Sequence, residues 1–236
     1  MKIFVKFIAL AFIVALTACA SGGPKTETRD AAEVKSADYD LKYEVNLEQS
    51  VVAWEGYKPT GTHNGTVAIS DGKLKFNEGA LVGGTFTIDL TSIKVLDLTD
   101  PDMNAKLTGH LLSADFFEVE TYPAATFEIT GVEAVDGSQV DLSKEKGDII
   151  PTHAISGNLT MKDVTKNLTF HARVMMEGDM FMAQTNMFFI DRVDWNVQYG
   201  SKKLFADLKD NFINDEMGLA ITLQATKVND ETASSN

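Results

Sequence analysis

Residues 105–129 read AKLTGHLLSADFFEVETYPAATFEI, and their pattern decides how the rest of the chain is read. Leu107, His110 and Leu111 recur at helical spacing, and the run ends in the aromatic pair Phe116 and Phe117. Tyr122-Pro123 then turns the chain. Ala125, Phe127 and Ile129 follow, alternating with Thr126 and Glu128 as in a strand with one buried face. The helix has a clear start upstream. Asp100 can cap it, Pro101 suits the first helical position, and Asp102 favours the positive end.

Working outward, the same two-residue alternation recurs. Phe86, Ile88 and Leu90 share a face, as do Leu168, Phe170, Ala172, Val174 and Met176. Leu219, Ile221, Leu223 and Ala225 form another such set, and Ile155, Leu159 and Met161 a further one. Strands of this kind suit an antiparallel sheet with one buried face. The parity slips twice: between Leu90 and Ile93/Val95, and between Ile190 and Val193/Trp195/Val197/Tyr199. Bulges at these points, the second near Asp191-Arg192, would restore one apolar face and let the sheet curl into a barrel. The helix is then expected across a barrel opening or on a flank. Residues 136–152 are polar, with turn signals at Asp136-Gly137 and Lys146-Gly147, and read as an exposed hairpin extension or long loop.

The first 18 residues read as a targeting segment. Lys2 and Lys6 precede an apolar run, Phe7 to Leu16, that is shorter than the ~20 residues a membrane span needs. Leu16-Thr17-Ala18-Cys19 fits a bacterial lipobox, so Cys19, the single cysteine, is the expected lipidation site. With Ala20 and Ser21 after it, the expected location is the cell envelope, lipid-anchored at the outer membrane and facing the periplasm. Residues 19–42 are expected to be the lipidated cysteine and a flexible tether, 43–228 one β domain, and 229–236 a disordered tail. The net charge of −13 argues against nucleic acid as a partner.

Several of these stretches, taken in order, closely resemble the YceI-like family of lipid- or polyisoprenoid-binding proteins. They are Gly61-x-His63-x-Gly65, Gly83-Gly84-x-Phe86-x-Ile88-Asp89, His110-Leu111-Leu112-Ser113-Ala114-Asp115-Phe116-Phe117 and Tyr122-Pro123-Ala124-Ala125-Thr126-Phe127. Gly157-Asn158-Leu159-Thr160 and Ile190-Asp191-Arg192-x-Asp194-Trp195 complete the set. The family pattern has a Gly in the turn after Thr160 and a Pro shortly beyond; here Asp163 and Asn167 stand in those places. The resemblance implies an all-β fold, an antiparallel lipocalin-like extended barrel of about eight strands with one or two short helices. It also implies a long amphiphile inside, such as a polyisoprenoid, its phosphate or a fatty amide, and it leaves a homodimer open.

The inward alternation nominates Trp54, Phe86, Ile88, Phe116, Phe117, Phe127, Ile129, Leu159, Phe170, Phe188 and Trp195 as cavity lining; each is equally compatible with ordinary core. Three residues are candidates for a polar headgroup. Arg192 is placed at the inferred bulge, with a guanidinium fork that suits phosphate; His63 lies in a Gly-rich loop, and Lys58 precedes it. The bland alternative for Arg192 is an ion pair with Asp194. His110 reads as a core or edge histidine bonded to backbone, His171 as solvated, and His153 as a strand-start residue. No metal-ligand spacing, hydrolase elbow or phosphate-binding loop occurs, so no metal, cofactor or catalytic residue is expected. The Asn-x-Thr triplets at Asn64, Asn158 and Asn167 read as plain turn and strand sequence. Three function classes follow. The first is a non-catalytic lipid-binding lipoprotein with the membrane, through acylated Cys19, as its partner. The second is a structural or stress-response envelope protein with a filled barrel. The third is a lipid-modifying enzyme using His63 or His110.

Overall fold

The computed structural model describes residues 23–34, 38–205, 207–209 and 211–228. The expected signal peptide, Cys19 and the tail at 229–236 lie outside them. The elements are β1 (Thr28–Asp30), β2 (Leu41–Val45), β3 (Val51–Lys58), β4 (Gly61–Asn77), β5 (Ala80–Val95), α1 (Pro101–Leu112), β6 (Ala124–Ala134), β7 (His153–Met161), β8 (Val164–Glu177), β9 (Met180–Gln184), β10 (Phe188–Asp191) and β11 (Glu216–Lys227).

Strands β4 to β8 pair in sequence as an antiparallel meander. β9 then joins β8 to β11, and β3 joins β11 to β4, which closes the ring. β2 and β3 lie in succession between β4 and β11, and β9 and β10 lie in succession along β11, so the strands fill eight positions of one antiparallel barrel. Closure removes the sheet edges that an open structure would have to protect. The β7–β8 hairpin turns on Lys162 and Asp163, both at positive φ (46° and 58°), between the paired Met161 and Val164. Asp tolerates this left-handed conformation, which explains how Asp163 serves where the family has Gly.

The parity slip after Leu90 is a bulge. Gly65 and Thr66 pair with Val95 and Lys94, but Ala68 pairs with Asp89. The extra residues are held locally, with Thr91 N donating to Asp89 Oδ1 (2.9 Å) and Ala68 N to Ser92 Oγ (2.8 Å). The second slip is not a bulge in a continuing strand. β10 stops at Asp191, whose side chain caps a 3-10 turn over Arg192–Trp195 by accepting from Val193 N at 3.1 Å. Trp195 reaches the interior from this turn.

Helix α1 starts as its sequence dictates: Asp100 Oδ1 accepts from Met103 N at 2.9 Å and Pro101 is the first helical residue. It packs on β5 and turns Leu111 inward.

Two segments differ from expectation. Residues 23–34 are not a free tether; they form a strap along the barrel. Only the first part of β8 leaves its outer edge free of β9, and there Thr28, Arg29 and Asp30 pair with Leu168, Asn167 and Lys166. Thr26 N donates to Phe189 O (2.6 Å), and Lys25 Nζ to Asp191 Oδ2 (2.8 Å). Asn158 both accepts from Ala32 N (2.9 Å) and donates to Ala32 O (2.8 Å). Backbone pairing and polar contacts of this kind leave no hydrophobic period to read. Residues 136–152 likewise fold back on the barrel. They carry two 3-10 turns, and Asn186 bonds both Ile149 N and Ile149 O at 2.9 Å.

Candidate functional site

The inward residues enclose two cavities, of about 140 Å³ and 80 Å³, both almost wholly apolar. They follow one another along the long strands β4 to β8 and β11. On β6 the lining passes from Ala125 and Phe127 to Phe127 and Ile129, and on β8 from Leu168 and Phe170 to Phe170, Ala172 and Val174. On β11 it passes from Met217, Leu219 and Ile221 to Ile221 and Leu223. The barrel interior is therefore two compartments in series. Val52, Ile88, Phe127, Phe170 and Ile221 line both and form the collar between them.

Phe127 and Phe170 are the two rings of the collar, and each has a further aromatic neighbour. Phe86, Phe127, Phe170 and Phe188 make a chain with centroid separations of 6.3, 5.6 and 4.8 Å, the last pair stacked at 8°. Gly157 makes room for it: a Cβ there would stand 2.1 Å from Phe127 Cζ, so the ring lies directly on the β7 backbone. Leu111 of α1 and the Phe116-Phe117 pair that follows the helix also line the first compartment.

Ten of the eleven residues nominated as lining border one or both compartments. Trp195 does not. It is fully buried, and its Nε1 donates to Leu159 O at 2.9 Å. Because the turn after Asp191 carries it out of strand geometry, its alternation parity had no bearing on the lumen. Residues not nominated, among them Val67, Leu74, Phe181, Ile213 and Met217, complete the wall. The alternation in β4 and β11 was the signal available for Val67, Leu74 and Met217, whereas Phe181 lies on the short β9 and Ile213 outside the named strands.

The polar candidates divide. Arg192 borders the first compartment, but its donors are already engaged. Nε donates to Asn214 O (3.0 Å), Nη1 to Val197 O (2.6 Å) and Nη2 to Ile213 O (3.1 Å), and the guanidinium lies 5.3 Å from the Phe116 ring centre. Burial lowers its pKa, against the nearby Asp215, Asp191 and Glu216 carboxylates. Its acidic neighbour is Asp215 at 3.7 Å, not Asp194, whose Oδ2 instead accepts from Thr28 Oγ1 at 2.5 Å. Arg192 thus ties the segment before β11 to the wall rather than offering a free fork to a headgroup. Lys58 is exposed, and neither it nor His63 borders either compartment. His63 Nδ1 lies 2.8 Å from Asp97 Oδ2, and Asn64 N donates to Asp97 Oδ1 at 2.9 Å. Burial raises the Asp97 pKa, and these bonds more than offset it, leaving it below the usual range.

The other histidines are also accounted for. His110 is held edge-on by Tyr199 (4.5 Å) and Phe116 (6.0 Å), and its buried Nε2 has no hydrogen-bond partner among the described residues, so the expected backbone bond is absent there. His171 is not simply solvated, since its Nδ1 lies 2.8 Å from Glu145 Oε1. His153 pairs with Thr152 Oγ1 at 2.8 Å, and burial lowers its pKa. Among the described residues no three His, Cys, Asp or Glu side chains converge as metal ligands, and no helix is long and apolar enough to cross a membrane. One polar atom of the lining stands out: the indole N–H of Trp54 is buried with no acceptor among the described residues. An unmade bond of this kind costs about 1–3 kcal/mol.

The lumen of the barrel is lined almost wholly by apolar groups, and the comparisons agree on the architecture. The profile of the YceI-like domain matches residues 43–225, so the chain belongs to the YceI-like family. Protein YceI of Escherichia coli O157:H7 is 36% identical over 103 residues, a stretch that covers 41% of this chain and 47% of that protein; the match thus spans about half the length of the curated relative. BcnA of Burkholderia cenocepacia superposes with a TM-score of 0.55 at 22% identity, covering 77% of this chain and 99% of that one. A polyisoprenoid-binding domain from Saccharophagus degradans, implicated in plant cell wall breakdown, superposes with a TM-score of 0.52 at 18% identity, covering 80% and 100%. At these identities the superpositions establish a shared fold.

Proposed function

We propose that the chain is a non-catalytic carrier, anchored through acylated Cys19 and facing the periplasm, that holds a long-chain amphiphile of polyisoprenoid or polyisoprenoid-phosphate type in its barrel. The observation that carries this reading is the pair of apolar compartments in series, a shape suited to an elongated hydrocarbon. Each methylene drawn from water into such a lining gains about 0.8 kcal/mol. A chain drawn from a bilayer gains little of this, so exchange with a membrane is close to balanced, as a carrier requires. The name of the Saccharophagus degradans domain supports the isoprenoid class. The lipobox supports the anchor. A filled structural barrel is disfavoured by the open lumen. An enzyme is disfavoured because His63 and His110 do not border it.

The test is native mass spectrometry with lipid extraction on the mature chain purified without detergent. A stoichiometric long-chain adduct is expected in the parent. Ala125→Trp, which places a large ring where a buried alanine lines the first compartment, is expected to lose that adduct while remaining folded. A folded Ala125→Trp protein with full occupancy removes the lumen as the binding site. A parent that stays ligand-free after incubation with isoprenoid phosphates and membrane lipids supports the structural reading instead.

A further inference from the structure

One stretch of surface departs from the acidic character of the chain. Residues 196–215 run from the Trp195 turn to the start of β11, and on them Tyr199, Leu204 and Phe205 are 46%, 47% and 49% exposed. Other large apolar side chains of similar exposure, such as Leu47 and Ile150, are scattered along the chain. Single exposed residues need no explanation, whereas a cluster on a rim marks an interaction surface.

The cluster is presented on a fixed support. Leu204 N and Phe205 N both donate to Ser201 O (3.3 and 3.0 Å), and Ser201 is fully buried and bridged to Ile213. Ile213 and Asn214 border the first compartment, and Ile213 N donates to Gly200 O at 2.9 Å. Tyr199 packs on His110, so the loop also adjoins the helix whose Leu111 lines this compartment.

Charge and chain length point to what covers it. The loop carries Lys202, Lys203 and Lys209 against Asp207, Asp210 and Asp215, so it is neutral in a chain of net charge −13. Lys202 lies over Phe212, 4.8 Å from the ring centre. Lys203 and Lys25 of the strap share Asp191 Oδ2. The leading end of the strap therefore emerges beside the loop, with Gly23 against the Phe189 ring. Cys19 is four residues earlier, at most about 14 Å of extended chain.

We infer that the Tyr199–Phe205 loop is a membrane-docking lip. Leu204, Phe205 and Tyr199 enter the interface of an anionic phospholipid bilayer, Lys202 and Lys209 meet its headgroups while Lys203 stays on Asp191, and the rim of the first compartment is thereby set on the membrane. The inference rests on the lipid-anchored carrier reading. A bilayer is the occupant because the strap brings the acylated residue to this side of the barrel and because leucine and aromatic side chains flanked by lysine suit the interfacial zone. A ligand then passes between bilayer and lumen without crossing bulk water.

The test is co-sedimentation of the mature chain carrying Cys19→Ser, so that no acyl group contributes, with phosphatidylethanolamine/phosphatidylglycerol vesicles. The double variant Leu204→Glu/Phe205→Glu is expected to lower partitioning about tenfold or more, the loss of roughly 1.4 kcal/mol of apolar contact. Ile150→Glu, at an exposed apolar site elsewhere, is expected to partition like the parent. Equal sedimentation of the double variant and the parent overturns the lip, as does an equal loss in Ile150→Glu or a parent that never sediments. Ligand occupancy, read by native mass spectrometry on the same samples, separates the two readings. An adduct without loop-dependent sedimentation overturns the lip and leaves the carrier. Loop-dependent sedimentation without any adduct sustains the lip and removes the carrier.

Discussion

Phe170→Ala tests the two-compartment interior most directly. Phe170 borders both cavities, stacks on Phe188 and touches Phe127, so its ring is part of the partition between them. A buried Phe→Ala change usually costs about 3–5 kcal/mol. The ring here already faces empty volume on both sides, so it has fewer packing partners to lose, and the lower end, about 3 kcal/mol, is expected. That includes an aromatic pair worth about 0.5–1.5 kcal/mol. For a domain of this size it corresponds to a fall in Tm of about 6–12 °C. Urea unfolding of the delipidated protein, with an unchanged m value, gives the stability term. Native mass spectrometry of the variant gives the other half: with the compartments merged, bound chains should shift to greater length. A loss below about 1 kcal/mol would mean that the ring is not packed as described. An unchanged chain-length distribution would refute the collar as the divider.

Further expectations concern the polar ties. Arg192→Met leaves three carbonyls without their donor and removes the cation 3.7 Å from the buried Asp215 carboxylate, and should cost about 3–5 kcal/mol in urea unfolding. A neutral effect on stability with loss of bound phosphate would instead restore Arg192 as a headgroup anchor. Asn158→Ala removes both bonds to Ala32 and should cost about 1–3 kcal/mol, with proteolysis of the 23–34 segment as the more sensitive readout. The strap should also be acid-sensitive. Burial raises the Asp191 pKa, and the bonds from Lys203, Lys25 and Val193 N more than offset it, so the folded value lies below the ordinary one. Its contribution is therefore present above about pH 4 and lost as pH falls through the folded value. Hydrogen exchange at Thr26 N should accelerate in that acid window before the barrel amides do. Asp191→Asn should abolish the pH dependence, and an unchanged profile in that variant would sink the assignment.

The strap changes how the anchor is pictured. A free linker from Cys19 to the barrel would let the domain tumble at a distance. Residues 23–34 are instead stitched to β8, to Phe189 and to Asn158, so under the proposed anchoring the described chain leaves the barrel at a defined point four residues after Cys19.

Local chemistry made much of this protein legible in its residues. Asp100-Pro101 announced α1, because a cap and a proline act within one turn. Alternation assigned the inward faces of β6, β8 and β11, because the pleat alternates side chains whatever the partner strand. That is why Phe127, Ile129 and Phe170 reach the lumen. The same rule failed at Trp195, where the Asp191 carboxylate captures Val193 N and replaces the strand with a turn. It was silent on the strap, whose pairing uses backbone groups and the asparagine side chain of an Asn-x-Thr triplet. It overstated Lys58, His63 and Arg192, since whether a polar group meets a ligand or a neighbouring carbonyl depends on distant segments. Above all, residue type and period identify what points inward, not whether the inside is full. That balance is a sum of side-chain volumes over eight strand positions, with Gly157 admitting the Phe127 ring and Ala125 leaving space beside Ile88, and only the closed barrel decides it.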